Sequence, residues 1–184
     1  NYAIKYENDT LLFGSNVTLS WSKISDKPSI PNSPEDIGAM PDDVHIPTEI
    51  EITQIAEDYI RSKNAYPAFK NYNGFPNTLC ISIDEEVVHG IPSSSVRLKD
   101  GDIISVDIGA VFDGYVGDGA KTYPVGQIDS EKQKLIDVTR QSFYEGIKYA
   151  KPGFRLSDIS HAIQTYAESF GFSVVRDFVG HGVG

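Results

Sequence analysis

A carboxylate set inside an apolar strand is the feature that most constrains this chain. The stretch Ile104-Ser-Val-Asp-Ile-Gly-Ala-Val-Phe-Asp-Gly-Tyr-Val-Gly-Asp-Gly-Ala-Lys121 places Asp107 between Val106 and Ile108, with Asp118 beyond an Asp113-Gly114 pair. Asp-Gly between two strand-like runs is the preferred pair for a two-residue type I′ turn, so residues 102–112 and 115–125 are expected to form a hairpin. Phe112 then faces Tyr115 and Asp107 faces Ala120. Asp118 becomes the diagonal neighbour of Asp107 on the same face, about 7–8 Å away along the backbone. A one-residue slip would send the two carboxylates to opposite faces.

Two carboxylates that face one another away from water repel. Three readings follow from the residues. The pair could share a proton as an acid dyad. Asp118, between Gly117 and Gly119, could be no more than a turn residue. Or the pair could bridge two divalent ions.

Composition narrows the classes of partner. The 184 residues carry a net charge of -10, which argues against a nucleic-acid binder with a basic surface and against an anionic membrane surface. No apolar run approaches the ~20 residues of a membrane-spanning helix. Cys80 is the single cysteine, which excludes an internal disulfide and fits a reducing compartment.

The chain divides at about residue 47. Residues 1–47 are punctuated by Pro28, Pro31, Pro34, Pro41 and Pro47 and form an irregular segment. Within it Leu11–Trp21 is compatible with a strand, and Ser33-Pro-Glu-Asp36 reads as a helix start that Pro41 cuts short. From Thr48 the signals sharpen. Thr48 and Glu51 make a capping-box pattern, and Ile52, Ile55, Ala56, Tyr59 and Ile60 form one helical face ending near Arg61 and Lys63. Residues 79–83 and 86–88 read as short strands. Ser130 is expected to cap a helix to about Ala150, and Ser157 another to Phe170 with Ile159, Ile163, Tyr166 and Phe170 inward. Residues 172–178 read as a last strand. The mixture of helices and a hairpin is an α+β pattern.

Histidines supply further candidates. His181 lies between Gly180 and Gly182, where the imidazole is uncrowded and the backbone can approach a ligand. His89, in Val-Val-His-Gly-Ile-Pro, stands before a tight turn, a usual place for a substrate-facing residue and also for a histidine bonded within its loop. His161 reads as solvated, and His45 receives no role.

At these residues the chain resembles the type I methionine aminopeptidases, of the pita-bread metallopeptidase family. The matching pieces are Ala65-Tyr-Pro-Ala-Phe69, Asn71-Tyr-Asn-Gly-Phe-Pro76, Cys80-Ile-Ser-Ile83, Asp84-Glu-Glu-Val-Val-His-Gly-Ile-Pro92, Lys99-Asp-Gly-Asp-Ile103, the Asp107–Lys121 hairpin and Val179-Gly-His-Gly-Val-Gly184. They cover about residues 48–184, the expected catalytic domain. The resemblance implies an α+β pita-bread fold and metal-assisted hydrolysis that removes the initiator methionine from nascent polypeptides. It implies two divalent ions (Co, Mn, Fe or Zn) with Asp107, Asp118 and His181 as ligands. It implies His89 as the catalytic, substrate-contacting histidine and Phe69, Tyr72, Phe75 and Cys80 as lining of the methionine pocket. An apolar, sulfur-bearing pocket suits a flexible thioether. The ribosome is a candidate partner, and the cytoplasm, or else an organelle, the expected compartment. The family's centre also uses two glutamates located after the Gly-His-Gly motif, beyond Gly184, so the chain is expected to hold only part of the fold. Two other classes stay in view: a non-catalytic binding module or inactive fragment, and an Xaa-Pro peptidase.

Overall fold

The computed structural model describes the backbone of residues 5–7, 10–13, 17–20, 47–178 and 180–183, with side chains from residue 47 onward. The chain separates into two compact units between Val44 and His45. In the first, β1 (Lys5–Glu7), β2 (Thr10–Phe13) and β3 (Val17–Ser20) form a three-stranded antiparallel sheet in sequence order. The single strand expected over Leu11–Trp21 is thus two strands, with Leu11 paired to Leu19. The helix start at Ser33–Asp36, Pro41 and His45 lie outside the described residues.

The second unit opens with α1 (Glu49–Ser62). Its capping box is formed: Glu51 N–H donates to Thr48 Oγ1 at 3.3 Å, and Thr48 N–H donates to Glu51 Oε2 at 2.7 Å. The buried face differs from the apolar stripe. Glu49, Thr53, Glu57 and Ile60 are buried, whereas Ile55 is 68% and Tyr59 41% exposed. The rotation has a physical cause, since polar partners wait inside: Ser93 N–H donates to Glu49, while Lys70 and Thr78 reach Glu57. Satisfied carboxylates can be buried in place of apolar side chains.

Next come β4 (Tyr66–Pro67), a 3-10 turn at Tyr72–Gly74, β5 (Leu79–Ile83), β6 (Ile103–Phe112) and β7 (Tyr115–Pro124). The hairpin register is the expected one, with Phe112 opposite Tyr115 and Asp107 opposite Ala120. Asp113 and Gly114 both have positive φ, +50° and +80°, as a type I′ turn requires. β7 pairs along the whole of β6, so β5 (against 104–108) and β4 (against 110–111) share the other edge. One face carries Leu79, Ile81 and Ile104, all buried, and forms the core. The other face carries Cys80, Asp107 and Gly109.

Two expected strands are absent. At residues 86–88 the chain turns instead: Asp84 has φ +48°, Glu86 N–H donates to the Ile83 carbonyl, and Val87 and Val88 are exposed. Residues 172–178 pair with no strand among the described residues, and a strand needs a neighbouring edge to satisfy its backbone groups.

Helices α2 (Ser130–Ile147) and α3 (Leu156–Ser169) close the unit. Asp129, not Ser130, caps α2, because its carboxylate accepts from both Glu131 and Lys132 N–H. At α3 the cap falls at Arg155, with Asp158 accepting from its N–H at 2.7 Å, so Ser157 is the second residue of the helix rather than its cap. The two helices meet where Gly146 touches Ile159 and Ile163: a Cβ there would lie 2.6 Å from Ile163. Tyr166 is half-buried, and Phe170, expected inward, is 42% exposed.

Candidate metal centre

The site face of the sheet is set by register. Cys80 on β5 is opposite Asp107 on β6, and Gly109, two residues on, is opposite Asp118 on β7. Opposed residues and residues two apart share a face, so Cys80, Asp107, Gly109 and Asp118 project to one side. Asp107 is half-buried and Asp118 exposed.

The two carboxyl groups interact directly. Asp107 is pushed above the ordinary carboxylate range, first by burial, then by the charge of Asp118 and by a hydrogen bond between the two acids. His89 and the Ile108 N–H act in the opposite direction. Cys80 beside them is buried, and its thiol is raised to about 11 by burial and by the charges of Asp107 and Asp118. It therefore stays protonated at neutral pH and acts as a small apolar wall.

Above the pair lies an aromatic side chain. A Cβ added to Gly109 would fall 2.5 Å from Phe69 Cε1 and 2.9 Å from Ala68 Cβ, so the ring rests on the strand next to Asp107. The loop after Phe69 is tightly bonded within itself: Asn71 N–H donates to the Phe75 carbonyl at 2.7 Å and Tyr72 N–H to that of Phe69 at 2.9 Å. Phe75 is half-buried, and Tyr72 is 69% exposed at the rim.

His89 adopts φ +61° and is exposed. The bare Gly90 after it lets the turn press against β5, since a Cβ there would overlap the Ile81 carbonyl oxygen at 1.9 Å. Phe178 meets the imidazole edge to face, with ring centroids 6.0 Å apart. His181 is exposed and bonds locally, its Nδ1 lying 2.9 Å from the Gly182 carbonyl oxygen. Among the described residues no group of three or more His, Cys, Asp or Glu side chains is arranged to hold a metal ion. The structure thus gathers Asp107, Asp118, Cys80, His89 and Phe69, and does not join His181 to them as a ligand set. The donor chemistry of the carboxylate pair fits a divalent cation, because hard oxygen donors that repel one another are drawn together by a cation between them.

Sequence reasoning did not single out Gly109 or Phe178. A glycine interrupting Asp107-Ile108-Gly109-Ala110-Val111 was a usable signal for close approach of another group to a strand. Phe178 carried no comparable mark.

Comparison with known proteins gives the family and the fold. The model of metallopeptidase family M24 matches residues 36–184. Methionine aminopeptidase 1 of Bacillus subtilis is 61% identical over 134 residues, 73% of this chain and 54% of that protein. A methionine aminopeptidase of Clostridium acetobutylicum is 56% identical over 137 residues, covering 74% and 55%. The crystal structure of methionine aminopeptidase from Rickettsia prowazekii superposes with a TM-score of 0.73 at 42% identity, over 75% of this chain and 55% of that one. Prolidase from Pyrococcus furiosus, 21% identical with a TM-score of 0.59, shares the fold. The chain spans about half the length of the curated relatives it matches. The expected α+β fold of the pita-bread type holds, and the chain belongs to metallopeptidase family M24.

Proposed function

We propose that this chain acts in the metal-dependent removal of N-terminal methionine from nascent polypeptides. The observation that carries the reading is the carboxylate pair on β6 and β7 lying beside the Phe69 ring: a cation-binding face next to an apolar wall. Residues 48–184 form the catalytic portion. Asp107 and Asp118 would hold two divalent ions of the Mn, Fe, Co or Zn class, and His181 would join them as a further ligand. Carboxylate and imidazole donors suit all four metals.

Bound divalent ions supply Lewis acidity for the scissile carbonyl and lower the pKa of water. The protein's own groups do the rest. Phe69, Phe75, Tyr72 and the protonated Cys80 receive the thioether side chain and exclude water from it. His89, held beside Asp107 and edge-on to Phe178, donates a hydrogen bond to the substrate amide or its developing charge. The reading places the protein in the cytoplasm, with the ribosome as a partner that delivers substrate. Among the described residues no helix is long and apolar enough to cross a membrane.

The test is peptide hydrolysis, with added Mn²⁺, by this chain extended through the two glutamates that the family resemblance expects after Gly184. Methionine release from Met-Ala-Ser, abolished in Asp118→Asn, is the expected result. Cleavage of an Xaa-Pro peptide with Met-Ala-Ser untouched would overturn it in favour of a proline-specific peptidase. Tight peptide binding with no turnover of either substrate would make the chain a binding module.

A further inference from the structure

Glu57 is a buried charge that the proposed chemistry does not use. It lies on α1 with its side chain 10% exposed, and three groups converge on it. Arg61, one turn on, donates from Nε at 2.9 Å and Nη2 at 2.8 Å, both to Oε1. Lys70 Nζ donates to Oε2 at 2.6 Å, and Thr78 Oγ1 donates to the same oxygen at 2.9 Å. The carboxyl is lowered to about 2, chiefly by the Lys70 and Arg61 bonds, against the opposing effect of burial.

The partners' places in the chain give this cluster meaning. Lys70 directly follows Phe69, and Thr78 directly precedes β5, which carries Cys80. One carboxylate oxygen therefore grips both ends of the loop that follows Phe69 and carries Tyr72 and Phe75. The loop holds Asn71, Asn73 and Gly74 at φ +69°, +48° and +84°, left-handed conformations that Asn and Gly adopt readily, so its shape is local while its attachment to α1 is not. Thr78 is fully buried, so its hydroxyl cannot exchange Glu57 for water.

We infer that Glu57 is a positioning residue that clamps the Lys70–Thr78 loop to α1, holds the Phe69 ring on Gly109, and so sets the width of the pocket for the substrate's first side chain. The pocket half of this inference rests on the proposed aminopeptidase reading; the clamp does not. Losing the clamp lets the loop open locally while the metal-binding face stays in place.

The experiment compares the chain with its Glu57→Gln and Lys70→Met variants. Amide hydrogen exchange is followed at Asn71, Tyr72 and Phe75, and calorimetry measures Mn²⁺, Met-Ala-Ser and Leu-Ala-Ser binding. Both variants should speed exchange at these amides about tenfold, as local opening does. Both should shrink the preference for Met-Ala-Ser over Leu-Ala-Ser about fivefold with Mn²⁺ affinity unchanged, and the double variant should add little to either. A purely structural role would lower the melting temperature without moving the peptide preference. If Glu57→Gln does not fold, Lys70→Met decides, since the Lys70 side chain is 35% exposed and lies outside α1. Unchanged exchange and unchanged preference in Lys70→Met would overturn the inference. Equal binding of both peptides by the unsubstituted chain would instead overturn the pocket reading, and exchange alone would then decide the clamp.

Discussion

Two shielded carboxylates in this fold meet opposite surroundings. Glu57 is surrounded by the protein's own cations and donors, Lys70, Arg61 and Thr78, and its carboxyl is held well below the usual range. Asp107 is faced by a second carboxylate, Asp118, and is pushed the other way. The first arrangement is complete within the chain and stabilises it. The second is electrostatically unfavourable as it stands, and an added cation would relieve it. Polarity at a shielded position therefore does not by itself mark a functional site; the sign of the neighbours does.

Substitutions should separate the two in sign as well as size. Glu57→Gln removes the anion from a cluster that keeps its cations, and is expected to destabilise the chain by about 3 kcal/mol in chemical denaturation. Its contribution also has a defined pH window. Because the folded pKa is below the ordinary 4.5, the stabilisation is complete above about pH 4.5 and is lost as pH falls towards about 2. The acid limb of the stability curve should therefore flatten in Glu57→Gln; an unchanged limb would show that the cluster does not govern it.

Asp118→Asn should weaken Mn²⁺ binding about 100-fold by calorimetry, since one of the two proposed carboxylate ligands is lost. Unchanged affinity would remove Asp118 from the ligand set. Gly109→Ala should cost about 2 kcal/mol, because the added methyl overlaps Phe69 and forces the ring off the strand. An equally stable variant would show that Phe69 has room to yield. The smallest effect carries the sharpest contrast. In metal-free buffer Asp118→Asn should raise stability by about 0.5 kcal/mol, because it removes a like charge across the hairpin. A fall in stability there would mean that the pair is satisfied without a cation.

Much of this arrangement could be read from local chemistry. The Asp113-Gly114 turn set the register, and the register put Asp107 and Asp118 on one face, because side chains alternate with period two. The Thr48–Glu51 capping box placed the start of α1 for a similarly short-range reason. The buried face of α1 was not legible, because Ile55 and Tyr59 look like core until Ser93, Lys70 and Thr78 arrive from up to 44 positions away to satisfy the opposite side. The strands expected at 86–88 and 172–178 failed likewise, since strand propensity says nothing about whether an edge is offered.

From sequence alone, then, follow the hairpin, its carboxylate pair and the family resemblance, all of which depend on neighbours in the chain or on fixed spacing. Three-dimensional packing settled the rest. It laid Phe69 over Gly109, set Phe178 against His89, and brought one glutamate to both ends of the aromatic loop. Those contacts join residues separated by 13 to 89 positions, and their existence depends on how helix and sheet pack rather than on any local preference of the residues involved.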